Sequence, residues 1–229
     1  MACESKGPQS HNSLPDQRAD EHHYEQPKAE NNDGPIENNE KSFLEEYECD
    51  TFPHWKGYVL IHNEKGYGLL NPQSEIVYSP NWWRIYEFNS SSGDMYLMLV
   101  IQEGEGENAS WRRGLGDFNG NIIMPVIYTY IHSAEYRDLC VVEQGCGSKG
   151  LFSIPLKREI IPCQFKRFCF LSDYILAQRT SLNTIINNSK YVIFDYNGNK
   201  MIACESEEEA HEWFSDHDVY APSDFDYVY

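Results

Sequence analysis

Thiols come first among the residues that could do chemistry. Cys146 stands between Gly145 and Gly147 with Lys149 close behind, and a cation beside an accessible thiol favours the nucleophilic thiolate. No Gly-x-Ser-x-Gly element or Cys/His signature accompanies it, and His132 is the sole histidine in the middle of the chain. The segment reads as a hairpin connection, with the reactivity of Cys146 left open. Cys140, Cys163, Cys169 and Cys204 fall on predicted strands and read as small buried apolar residues, because zinc favours close Cys-x-x-Cys pairs. His11 with His22 and His23 lies in a polar arm that offers a metal no fixed geometry. Gly104-Glu105-Gly106-Glu107-Asn108-Ala109 matches a dinucleotide loop in outline, but it leads into another strand, supplies no helix N-terminus and adds acids that repel phosphate. Acids are plentiful, yet a carboxylate pair for glycoside hydrolysis is defined by a separation that no sequence carries. No catalytic, metal or cofactor set emerges, and none is expected.

Aromatic residues are the remaining candidates, since Trp and Tyr supply large contact area with a polar handle. Trp55, Trp82, Trp83, Tyr86, Trp111 and Tyr130 could line a groove for a peptide or glycan, although most belong to the core by neighbourhood. Trp82 and Trp83 are adjacent, so on one strand they face opposite sides and one lies outside the main core. Near the end, Tyr220, Phe225, Tyr227 and Tyr229 alternate with Asp216, Asp218, Asp224 and Asp226. Such a tail suits a basic, apolar-floored pocket on a partner, its bland alternative being a solvated segment. The candidate partner contacts are therefore Trp82, Trp83, Trp111, Tyr220, Phe225, Tyr227 and Tyr229.

What positions these residues is a repeat. Gly114-Leu115-Gly116-Asp117-Phe118-Asn119-Gly120-Asn121-Ile122-Ile123-Met124-Pro125 reads as a β-hairpin with a tight Asn-Gly turn and a proline that ends the pairing. Its pattern returns from Gly68 to Pro80, from Gly150 to Pro162 and, worn, from Val192 to Ile202, at spacings of 46, 36 and 42 residues. Asn119-Gly120 and Asn197-Gly198 are expected to supply two positive φ values per two-residue turn, and Pro72 and Pro155 to shape the other two. Pro80, Pro125 and Pro162 should sit where a strand leaves the ladder. Each hairpin follows an apolar run such as Tyr96–Ile101 and precedes an aromatic strand such as Trp82–Phe88. A period near 40 with about four strands marks units that bury one another's faces. The fold class expected is all-β, with tandem repeats of about four short antiparallel strands. An open stack of small sheets is the first choice and a compact propeller-like ring the second.

The units resemble the WG, or KWG, repeat, in which a lysine and an aromatic precede Gly-Leu, a turn, two β-branched residues, proline and an aromatic. Lys65-Gly66-Tyr67-Gly68-Leu69-Leu70-Asn71 is the best front end, with one residue inserted after the lysine. Gly114, Leu115, Asp117, Gly120, Ile122, Ile123, Pro125 and Tyr128 match through the hairpin. Lys149-Gly150-Leu151-Phe152 to Pro162 and Phe165 keeps the frame without the aromatic, and the last unit has Tyr191 but Val192 for the glycine. The resemblance implies an all-β repeat scaffold with varied partners and no shared active site.

The charge of −18 divides unevenly. Residues 1–50 hold 13 acids and 4 bases, residues 51–204 hold 14 of each, and residues 205–229 hold 9 acids and no base. A balanced body argues against a nucleic-acid binder, which needs a basic surplus. No apolar run of signal-peptide or membrane-span length is present, and the cysteine count is odd, so a cytoplasmic protein without a membrane partner is expected. The organisation expected is an acidic disordered arm over 1–41, a capping segment over 42–56, the repeat domain over 57–204, a short helix over 205–214 opened by Ser206, and the acidic aromatic tail over 215–229. The function expected is a non-enzymatic protein-interaction module. The alternatives are a hydrolase or transferase with a cleft between units, and an inhibitor or immunity-type protein that turns its acidic ends on a basic partner.

Overall fold

The computed structural model describes residues 47–229 except Cys146, Asn188, Ser223, Asp224, Asp226, Val228 and Tyr229. The arm over 1–41, the first part of the capping segment over 42–46, the three arm histidines, Cys146 and Tyr229 therefore lie outside the described residues. The first antiparallel meander is β1 (Glu48–Thr51), β2 (Val59–Asn63), β3 (Gly66–Leu70) and β4 (Ile76–Trp82). The second is β5 (Arg84–Asn89), β6 (Met95–Glu103), β7 (Ser110–Gly116) and β8 (Ile122–Tyr128). Two more meanders share one seven-stranded sheet made of β9 (Tyr130–Ser133), β10 (Leu139–Glu143), β11 (Lys149–Ser153), β12 (Arg158–Phe170), β13 (Tyr174–Arg179), β14 (Tyr191–Asp195) and β15 (Lys200–Cys204). They fuse because β12 runs on for 13 residues. Its first part pairs with β11 and its second with β13, so it closes the third unit and opens the fourth.

The recurring glycine and proline form one device. Pairing between β3 and β4 steps from Tyr67↔Trp82 to Leu69↔Tyr78, which leaves Ser79, Pro80 and Asn81 opposite the single residue Gly68. The same step sets Pro125 opposite Gly114 and Pro162 opposite Gly150. A Cβ on these glycines would lie 2.7 Å from the Tyr78 carbonyl, 2.5 Å from that of Met124 and 2.6 Å from that of Ile161. The missing side chain makes room for the bulge, and the proline fits there because a bulged residue donates nothing to the ladder. In the fourth unit Val192 pairs in regular register with Ala203, and proline is absent from β15. A smaller one-residue bulge follows in all four units, the worn copy included.

The turns correct the expectation of two positive φ values. Gly120 (φ 87°) and Gly198 (φ 86°) are left-handed, whereas Asn119 and Asn197 are not. The loop closes around five residues: Asp117 N–H donates to the Asn121 carbonyl at 3.0 Å, and Asp117 Oδ1 accepts from the N–H groups of Asn119 and Asn121 at 2.9 and 2.8 Å. Asp195 does the same for Asn197 and Asn199, and Asn71 for Gln73 and Glu75, with Ser74 (φ 65°) in the glycine position. The acid or amide that opens the turn thus organises it.

Three cores lie in series between the units. Leu60, Leu69 and Tyr78 of the first meet Ile85, Leu97 and Leu99 of the second. Met98, Leu115 and Tyr128 meet Ile131, Cys140 and Phe152. Leu151, Ile161 and Phe165 meet Phe168, Ile175 and Phe194. The outer face of the fourth unit, with Leu176, Tyr191 and Ile193, is covered by Ala210 and Phe214 of a helix and by Phe225 of the tail. The arrangement is the open stack: none of the cores of the described residues joins the first sheet to the fourth unit.

Two α-helices occur among the described residues. A short one, α1 (Ser181–Asn187), is inserted between β13 and β14 where the sequence predicts none. The other, α2 (Glu207–Asp216), begins where expected, with the Ser206 hydroxyl accepting from Glu209 N–H at 3.3 Å and three glutamates in the first turn. Neither is long and apolar enough to cross a membrane.

Candidate interaction edge

Strand directions place two kinds of connection on opposite edges of the stack. One edge, here the turn edge, holds the asparagine- and aspartate-led turns and the first-to-second strand loops. The other, the junction edge, holds the second-to-third strand loops and the points where one unit passes into the next.

Trp83 is one such point. Trp82 ends β4 and Arg84 begins β5, so Trp83 lies between strands and the expected aromatic strand is broken there. Its N–H donates to the Val100 carbonyl at 2.9 Å, as Thr129 N–H donates to that of Glu143 at 2.8 Å one unit later. The face rule for adjacent strand residues does not apply, yet the two tryptophans still part. Trp82 turns inward, edge-on to Tyr78 at 6.0 Å, whereas Trp83 stays 43% exposed. Beside Trp83 stands Trp111, 39% exposed, with ring centroids 5.7 Å apart and an interplanar angle of 57°. Trp111 reaches this position because β6 and β7 continue pairing beyond Val100↔Arg113 to Glu103↔Ser110. Arg84 lies over the Trp83 ring at 5.3 Å, Arg113 donates to the Thr129 carbonyl, and Arg112 pairs with Glu103 at 2.8 Å. Two exposed indoles held by strand ends, with Arg84 stacked on one and the Arg112–Glu103 pair close in sequence to the other, form an aromatic surface of mixed charge.

The seven candidate contacts do not converge. Trp83 and Trp111 come together, and Trp82 is half-buried behind them. Tyr220 is 85% exposed and stands apart. Phe225 is buried, stacked on His211 at 4.2 Å, and so is a core residue in place of the expected outward contact. Tyr227 is half-buried over Arg167 at 3.9 Å, and its hydroxyl donates to Glu207 Oε1 at 3.2 Å. Tyr191 donates to the other oxygen of Glu207 at 3.3 Å and accepts from Gln178 at 3.3 Å. Of the wider aromatic set, Trp55 is buried in the first core, and Tyr86 and Tyr130 remain exposed. The arginines beside the indoles escape a search for aromatics alone; the repeated Trp-Arg dipeptides at Trp83-Arg84 and Trp111-Arg112 are the signal that marks them.

Groups suited to other chemistry point elsewhere. The Gly104–Ala109 segment is a 3₁₀ turn over Gly106–Asn108 that leads straight into β7, so no helix end faces a phosphate. Burial pushes the Cys140 and Cys163 thiols up to about 12, away from the thiolate that a nucleophile or a zinc ligand requires. Cys163 and Tyr128 both approach Glu159 Oε2, at 3.8 and 3.3 Å, between the second and third units. Burial raises the Glu159 carboxyl above its ordinary range although both neighbours donate to it. All three groups thus favour their neutral forms, which suits an internal hydrogen-bonded contact. No cluster of three or more His, Cys, Asp or Glu that could hold a metal occurs among the described residues.

The chain matches no protein-family model, no curated protein and no solved structure.

Proposed function

We propose that the chain is a non-enzymatic protein-interaction module built from four units like the WG repeat it resembles, and that it meets its partner along the junction edge. The observation that carries this reading is the Trp83–Trp111 pair, two large aromatics kept 43% and 39% exposed while Trp55, Tyr78 and Tyr128 pack between units. Neighbouring tryptophans with a stacked arginine have the composition of interface hot spots. Free thiols at Cys49, Cys140, Cys163, Cys169 and Cys204 support a cytoplasmic setting.

The test is affinity capture with the full chain, wild type against the Trp83→Ala/Trp111→Ala double variant. Partner retention should fall by about tenfold or more. The melting temperature should stay nearly constant, because exposed side chains contribute little to stability. Undiminished capture by a folded double variant would sink the reading.

A further inference from the structure

Residues 51–204 carry as many bases as acids, yet the fold sorts them. The junction edge receives nine of the fourteen bases and five acids, and the turn edge five bases and nine acids. A body neutral along the chain therefore has one edge at about +4 and the other at about −4, a separation that steers and orients charged partners. Along the third and fourth units no base on that edge is held in a close ion pair, although Glu208 of α2 stands near enough to Lys190 to interact with it and Glu207 lies across Tyr227 from Arg167. Lys149, Lys166, Arg167, Arg179 and Lys190 form no ion pair among the described residues. Arg179 lies over Phe165 at 5.4 Å, with its Nε buried and without a hydrogen-bond partner among the described residues.

The molecule already contains one example of what such an edge accepts. Arg167 occupies in the fourth unit the register position that Arg84 occupies in the second, each opening the first strand of its unit at the junction edge. Over Arg167 sits Tyr227, from a tail that is acidic and aromatic. Over Arg84 sits Trp83, with Trp111 beside it and its outer surface open.

We propose that the junction edge binds an extended acidic peptide segment bearing aromatic residues, supplied by a partner protein and read by Trp83, Arg84 and Trp111, with the basic edge of the third and fourth units continuing the track. This names the partner chemistry of the site proposed above and rests on that reading. A peptide fits better than a single-stranded nucleic acid, which also uses stacking and cations. Glu103, Glu105 and Glu107, at the end of β6 and in the loop that leads to Trp111, would repel the evenly spaced charges of a phosphate chain, whereas a peptide can place its acids opposite Arg84 and its aromatics opposite the indoles.

The probe is a labelled peptide with the sequence of residues 215–229, which alternates acids and aromatics, titrated into the full chain and followed by anisotropy. Saturable binding is expected. It should weaken about tenfold or more in the folded Trp83→Ala/Trp111→Ala variant. It should also weaken when salt is raised from about 50 mM to about 300 mM, and fall when the peptide's aspartates become asparagines. Failure to bind, indifference to the tryptophans, equal binding of the asparagine peptide, or tighter binding of oligo(dT) would each overturn the proposal. Self-association of the chain that is lost in the double variant would assign the edge to a second copy, and indoles already shielded from acrylamide in the free chain would assign it to the chain itself; either overturns it too. Tryptophan-dependent capture of a partner with no binding of the acidic probe would discard the acidic ligand and leave the interaction module standing.

Discussion

Replacing Gly114 with alanine should destabilise the protein although it adds only a methyl group. The added Cβ would lie 2.5 Å from the Met124 carbonyl oxygen, 2.8 Å from Val126 Cγ2 and 2.9 Å from the Pro125 carbonyl carbon. Comfortable contact begins near 3.5 Å, so the overlap is roughly 1 Å against atoms that are mostly backbone. Neither side yields easily: β7 is held by its pairing with β6 at Leu99↔Gly114, and the bulge is stiffened by Pro125. Overpacking of this kind costs about 1–3 kcal/mol. Restricting the unfolded chain returns about 0.4–1 kcal/mol. The net loss is then about 1–2 kcal/mol, and the melting temperature of a chain this size should fall by about 2–8 °C. Urea unfolding at constant m-value would separate lost stability from a changed denatured state. Gly68→Ala and Gly150→Ala should act in the same direction, because their surroundings repeat. Neutral or stabilising alanines at all three sites would refute the argument that these glycines exist to admit the bulge.

Two further outcomes follow from the packing between the second and third units and over the outer face of the fourth. Folded Glu159 holds its proton more tightly than the unfolded chain does, so its contribution is fully present below the ordinary glutamate value and is lost as pH rises through the raised one. Wild-type stability should therefore decline relative to Glu159→Gln as pH rises from about 4 toward neutrality, and a constant difference in urea midpoints would exclude the mechanism. Phe225→Ala should cost about 3 kcal/mol and raise amide exchange in α2, since the ring fills the cover of the fourth unit beside Phe214 and His211; an unchanged exchange pattern would place the tail outside the core.

Much of the architecture is legible in the sequence because the repeated residues have repeated jobs. Gly114 and Pro125 recur as a pair since one makes room for the other, and where Val192 takes the glycine position the proline is gone. The turn dipeptides mislead in detail: Asn-Gly suggests two left-handed residues, while the Asp117 carboxylate closes a longer loop that needs only Gly120. Ser181–Asn187 carries no strong helix signal and forms α1 in the connection after β13. Phe225 looks like a tail residue because its burial depends on α2, which stands at no fixed sequence distance from the sheet it covers. The polarity of the body cannot be read from composition, because fourteen bases and fourteen acids cancel until the direction of each strand assigns them an edge. Trp83 and Trp111 are nameable from sequence, but their contact depends on the extra length of β6 and β7.

The unbroken β12 has a mechanical consequence. The strand is interrupted at Trp83 and again at Thr129, but at Lys166 it runs on, with no more than a bulge between Phe165 and Arg167. Under tension from its ends, such a chain has two articulations, one after the first unit and one after the second, and none between the third and the fourth. The last two units must hold or yield together, as a single plate.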